Sequence, residues 1–130
     1  MNYIPLNIKT HYELLSSLIR PNELCDFLIE KNINTFAVTD SNMFGTMELF
    51  NICSKNNIKV IIGVPIELDN YSMILYAKSY TGYVNLLNIV SYRNLNKLDL
   101  EFLISHTSDL ICVTSDLENF NKYKEMYELV

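Results

Sequence analysis

Asp40 is the residue of this chain best placed to do chemistry. It stands in the run Thr39-Asp40-Ser41-Asn42-Met43-Phe44-Gly45, directly after the apolar stretch Thr35–Thr39. That stretch reads as a buried strand, and a carboxylate just past a strand's C-terminal end is where α/β folds place their sites. Such a carboxylate can bind a metal or move a proton, and either task needs further groups around it. Two duller readings stay open beside these: Asp40 orients its turn or caps a helix opening near Met43, or it keeps a vestigial polar role. The remaining candidates are sparse. His11 follows Thr10 in a polar turn and reads as a surface histidine. His106 closes a short helix, where a cation suits the dipole. Cys25, Cys53 and Cys112 are widely spaced, form no Cys-x-x-Cys pair and fall on apolar faces, so they read as buried reduced thiols. Tyr71, Tyr76, Tyr80, Tyr83 and Tyr92 could suggest a base-stacking platform. Without accompanying Lys and Arg they read as packing residues.

The elements that must position Asp40 alternate between the two periodicities. Tyr3–Ile8 is expected to be a first strand. Pro21 opens a helix reaching about Lys31, proline costing little at a first helical position; Leu24, Cys25, Leu28 and Ile29 share its inward face. After the strand Thr35–Thr39, Ser41 or Asn42 can cap the next helix, lined by Met43, Met47, Phe50 and Cys53 and stopped by Asn56-Asn57. Val60–Ile62 is a β-branched run typical of a strand covered on both faces. Ser72–Ala77 reads as a strand. Tyr83–Tyr92 reads as a helix with Leu86, Leu87 and Val90 inward, and Asp99–Ser105 as a short helix capped by Asp99. Leu110–Val113 is a further strand and Leu117–Leu129 a last amphipathic helix carrying Phe120, Tyr123 and Tyr127. Strands alternating with helices imply an α/β fold with a mainly parallel sheet.

Composition narrows the classes. A chain of 130 residues with 49% hydrophobic content has a packed core and is one domain or part of one. Its net charge of −5, with ten Lys and Arg scattered from Lys9 to Lys124, argues against a phosphate-backbone binder acting alone. Its three glycines build no phosphate loop. No signal peptide is visible and no apolar run approaches the ~20 residues of a membrane span, so a cytoplasmic location is expected.

The order of motifs resembles one family. An N-terminal strand leading to Tyr12-Glu13-Leu14-Leu15, then Phe36-Ala37-Val38-Thr39-Asp40-Ser41-Asn42-Met43-Phe44-Gly45, then Asn57-Ile58-Lys59-Val60-Ile61-Ile62-Gly63, is similar to the N-terminal PHP (polymerase and histidinol phosphatase) domain. Asn-Met-Phe-Gly after Thr-Asp, and the Ile-Ile-Gly strand, resemble the alpha subunit of bacterial DNA polymerase III in particular. Leu110-Ile111-Cys112-Val113-Thr114-Ser115 also fits. The resemblance spans nearly the whole chain and is sharpest from Thr35 to Gly63.

The resemblance implies a distorted seven-stranded β/α barrel. A related eight-stranded barrel takes ~250 residues, so residues 1–130 would be the N-terminal part of a PHP domain, a partial barrel with an unfinished sheet edge. Active members bind a metal cluster for phosphoester hydrolysis. Carried onto this chain, the histidines of their first-strand run fall on Pro5, Asn7 and Lys9. The histidine after Thr-Asp falls on Ser41 and the glutamate after Ile-Ile-Gly on Pro65, leaving Asp40 alone unchanged in kind. Proline has no ligating side chain, asparagine is a weak ligand and a lysine ammonium repels cations. Another alignment could bring His11, Glu13 or Glu67 toward the site. The implied function is a non-catalytic PHP module of a replicative polymerase alpha subunit, structural or partner-docking. No cofactor is expected in this segment, and Mg²⁺ is expected for the parent polymerase outside it. Implied partners are the remainder of the polymerase chain and a proofreading exonuclease, with DNA reached only through the parent and no membrane. The alternatives are a metal-dependent phosphoesterase (nuclease, pyrophosphatase or histidinol-phosphatase-like) and an unrelated small α/β binding domain of receiver type.

Overall fold

The computed structural model describes residues 3–10, 20–43 and 46–130. These form α1 (Pro21–Glu30), β1 (Thr35–Val38), α2 (Thr46–Lys55), β2 (Lys59–Leu68), β3 (Tyr71–Ala77), α3 (Tyr80–Asn94), α4 (Leu100–Ser105), β4 (Leu110–Val113) and α5 (Phe120–Met126). The chain divides into two compact units, Met1–Ile62 and Gly63–Val130.

In the first unit α1 and α2 cover β1 and the start of β2. Leu24, Cys25 and Leu28 of α1 meet Phe36, Val38, Leu49, Cys53, Ile58 and Val60 in one buried cluster. The helix faces differ in part from the expected ones. Ile29 is half exposed, as are Met47 and Phe50, and the buried positions of α2 are Thr46, Leu49 and Cys53, spaced three and four apart. The reason is where α2 starts. Met43 has φ 60°, a left-handed conformation outside any α-helix, so the helix begins at Thr46 and its inward stripe is set from there. Ser41 and Asn42 form a turn ahead of it and are too early to be its N-cap. Phe44 and Gly45 lie outside the described residues.

Three helices end in the same way. Asn32, Asn57 and Asn96 have φ of 55°, 59° and 56°. In each case the next N–H reaches back to the helix's last turn: Ile33 to Leu28 O, Ile58 to Cys53 O and Lys97 to Tyr92 O, all at 2.9 Å. This is a Schellman stop, normally built on glycine. Asparagine tolerates the left-handed region better than other side chains, and with three glycines in the chain it takes their place. The expected stop at Asn56-Asn57 is one of these.

In the second unit, Val64, Ile66, Met73, Leu75, Leu86, Ile89, Leu103, Leu110, Cys112 and Tyr123 are buried. α3 is longer than its apolar pattern suggested. Ser79 caps it by accepting from Gly82 N, and Ile89 rather than Leu87 faces inward. Gly82 is required there, because a Cβ would lie 2.2 Å from the Asp109 carbonyl oxygen. Asp99 caps α4 as expected, accepting from Phe102 N at 2.8 Å. α5 is shorter than Leu117–Leu129. After Met126 the chain turns extended, and Leu129 O accepts from Cys112 N at 3.0 Å. Tyr123 holds α5 down through its hydroxyl, which accepts from Ser72 N and donates to Asp116 Oδ2, both at 2.9 Å. Asp116 is drawn below the usual carboxylate range, chiefly by the Asn119 side chain and also by Tyr123, against a smaller opposing effect of burial.

The sheet is α/β but mixed, which corrects the expectation of a mainly parallel one. Strand order is β1-β2-β3-β4. Only β1 and β2 are parallel, in register Thr35↔Lys59 to Val38↔Ile62. β2 then pairs antiparallel with β3 from Gly63↔Tyr76 to Leu68↔Tyr71, and β3 antiparallel with β4. The cause is a two-residue hairpin at Asp69-Asn70, with Asp69 at φ 51° supplying the left-handed residue such a turn needs.

The three cysteines are buried and unpaired. Burial raises Cys53 to about 12, with neighbouring Cys25 adding to the shift, and raises Cys112 to about 11. Thiols held protonated in this way are poor nucleophiles.

Candidate functional site

The site lies where the N-terminal segment runs alongside β1. Tyr3–Ile8 is not a regular strand. Ile8 bridges Val38 in parallel, donating from its N–H to Ala37 O and accepting from Thr39 N. The next bond upstream goes from Ala37 N to Pro5 O at 2.7 Å. Regular parallel pairing would use Leu6 O, so one extra residue is accommodated, and such a bulge interrupts the ladder and re-aims side chains. Downstream, the chain brings Thr10 to Asp40 without extending the ladder: the Ile8↔Val38 bridge is isolated, and the Thr10 N–H that regular pairing would send to Thr39 O goes to the Asp40 side chain.

That placement decides what Asp40 does. Its side chain is fully buried, as is that of Thr10. Thr10 N donates to Asp40 Oδ1 at 2.7 Å, and the Thr10 hydroxyl donates to Oδ2. Asp40 therefore ties the N-terminal segment to the end of β1, rather than capping the following helix. On the same strand end Thr39 Oγ1 donates to Asn7 Oδ1 at 2.5 Å, and Lys9 Nζ donates to the Thr39 carbonyl at 3.1 Å. Ser41 follows in the turn, partly exposed. Asn7, Lys9, Asp40 and Ser41 are thus brought together around one strand end. Thr10, the residue that both carboxylate oxygens use, is absent from the candidates read from the sequence. The signal for it was the Ile8↔Val38 bridge, which brings the residues following Ile8 alongside the end of β1.

Pro65 belongs to the second unit, inside β2 opposite Ile74. Pairing with β1 stops at Ile62, so this half of β2 is hydrogen-bonded on one side only, where a missing N–H is tolerated. Its carbonyl accepts from Arg93 Nη1 at 3.3 Å. Glu67 is exposed on the same strand, and His11 and Glu13 lie outside the described residues. His106 caps the end of α4 and stacks on Phe102 at 4.0 Å between ring centroids. Among the described residues the five tyrosines are dispersed, apart from Tyr80 and Tyr83, whose rings lie tilted at 6.2 Å between centroids. Tyr76 is buried, Tyr71 meets Tyr123 edge-on and Tyr92 stacks on Phe102.

A metal cluster of the family's kind needs several neutral imidazoles and carboxylates with open lone pairs. Here the carboxylate is closed off from solvent and held by two donors, the amide oxygen accepts a hydroxyl, and the third side chain is an ammonium. As arranged, Asn7, Lys9, Asp40 and Ser41 do not fit such a cluster. Among the described residues, no three His, Cys, Asp or Glu side chains are grouped to hold an ion.

The PHP domain family matches residues 5–126. This chain belongs to the PHP domain family. The PHP domain here is 29% identical over 131 residues to the DNA polymerase III subunit alpha of Mycoplasma genitalium, covering 97% of this chain and 15% of that protein. It is 30% identical over 125 residues to the same subunit of Bacillus subtilis, covering 88% of this chain and 11% of that protein. The chain therefore spans under a sixth of these curated relatives. A solved structure from Bifidobacterium adolescentis, provisionally named a metal-dependent phosphoesterase, matches 79% of this chain and 42% of its own, with a TM-score of 0.53 at 10% identity. At that identity the likeness concerns the fold. Among the described residues no helix is long and apolar enough to cross a membrane.

Proposed function

We propose that residues 1–130 are the N-terminal part of the PHP domain of a DNA polymerase III alpha subunit and act there as a non-catalytic module. The parent chain extends DNA primers on a template with Mg²⁺ held elsewhere. This segment stabilises it or docks a partner such as a proofreading exonuclease, in the cytoplasm, and meets DNA only through the parent. The observation that carries the reading is the closure of Asp40 on Thr10, beside Asn7 and Lys9, onto which the resemblance carries two of the family's histidines. A buried carboxylate satisfied within the fold has no open face for an ion. Polymerase relatives over nearly the whole chain support the choice of parent.

The phosphoesterase reading is favoured by one observation, the structural neighbour. Hydrolysis of a generic phosphoester by the purified chain, with and without Mn²⁺ or Zn²⁺, separates the two. The non-catalytic reading expects no metal-stimulated turnover, and robust stimulation by either ion would refute it.

A further inference from the structure

The disagreement between this strand end and a metal cluster has a positive counterpart. We infer that the Lys9 ammonium serves as a built-in cation for the strand end, a fixed charge standing where a member of this family binds mobile ones. The inference rests on the non-catalytic reading above.

Three observations carry it. The first is position, since the resemblance carries one of the family's first-strand histidines onto Lys9. The second is direction. Nζ lies 3.1 Å from the Thr39 carbonyl, the residue next to Asp40, so the charge is aimed back at the end of β1 rather than into solvent. The third is need. Asp40 is fully buried, and the Thr10 amide and hydroxyl that donate to it are both neutral. An ionised carboxylate withdrawn from water is costly without nearby positive charge. A carbonyl oxygen at a strand end, with no further N–H to receive, is likewise a good acceptor for a charged donor. A lysine at position 9 brings a charged donor to the Thr39 carbonyl from a partly buried side chain, one residue away from the Thr10 that holds Asp40.

The function of a resident ion in such a place would be partly structural, clamping the first segment to β1. An ammonium keeps the clamp and removes the Lewis acid. It also makes the clamp independent of metal supply, and it repels divalent ions from the pocket they would use.

Charge, hydrogen bonding and the aliphatic stem are separable by substitution. Lys9→Arg keeps the charge, Lys9→Gln keeps a donor without charge, and Lys9→Met keeps the stem alone. Thermal melting of the four chains should place Lys9→Arg within about 2 °C of the parent, with Lys9→Gln and Lys9→Met both lowered by about 5 °C or more. If either neutral variant melts with the parent, the built-in cation is overturned while the non-catalytic reading stands. If a neutral variant fails to fold while Lys9→Arg folds and melts normally, the requirement for charge is upheld in its strongest form. Failure of the broader reading shows elsewhere, as ion-stimulated hydrolysis by the unsubstituted chain.

Discussion

Asp40 and Thr10 form the smallest unit on which the account depends. Both are fully buried, and each carboxylate oxygen takes one donor from the same threonine. A buried carboxylate that loses a donor retains its full desolvation cost, which makes such pairs asymmetric: removing one partner costs more than the bond itself is worth. Thr10→Val keeps the shape and the amide donor and removes only the hydroxyl. It should destabilise the chain by about 2 kcal/mol, measured by urea unfolding, whereas Thr10→Ser should lose much less. Asp40 was legible as the residue of interest because it follows a buried strand and stands in a recognisable motif. Its partner was not, since a hydrogen bond between residues 30 apart in sequence depends on strand register, and nothing in Lys9-Thr10 taken locally announces it.

At the scale of elements, the local signals that held were those with a stereochemical mechanism. Asp99 before a helix, Pro21 at a first helical turn and Asn56-Asn57 at a helix end each act within a few residues, so the sequence carries them directly. The helix stops can be tested on this basis. Asn57 sits at φ 59° and closes α2, a conformation that costs a Cβ-bearing residue about 1–2 kcal/mol unless its side chain offsets it. Asn57→Ala should lower stability by about 1 kcal/mol and Asn57→Gly should be neutral or slightly stabilising; chemical denaturation of both variants checks the pair. Signals requiring the whole strand arrangement were less legible. The strand read at Val60–Ile62 stopped short of the second half of β2, which continues as a hairpin arm with β3. The alternation of strands and helices pointed to a mainly parallel sheet, and Asp69-Asn70 was the overlooked turn that reverses the chain between β2 and β3. Met47 and Phe50 were misplaced because the inward stripe of α2 is set from Thr46, whereas α1 starts at Pro21 as read and buries Leu24, Cys25 and Leu28, leaving Ile29 half exposed beside them.

At the scale of the molecule, this PHP domain has a mixed α/β sheet, and the end of β1 is closed by its own side chains. A net charge of −5 leaves little for a nucleic acid to hold. The direct test is a titration of Mn²⁺ into the purified chain, read by calorimetry and by the melting temperature. An ion bound to the native state at a hundred times its dissociation constant would stabilise it by about 2.7 kcal/mol, a shift of several degrees. The account predicts no saturable binding heat and no change in melting temperature between chelator and millimolar Mn²⁺. Stoichiometric binding with a clear upward shift, abolished by Asp40→Ala, would contradict it.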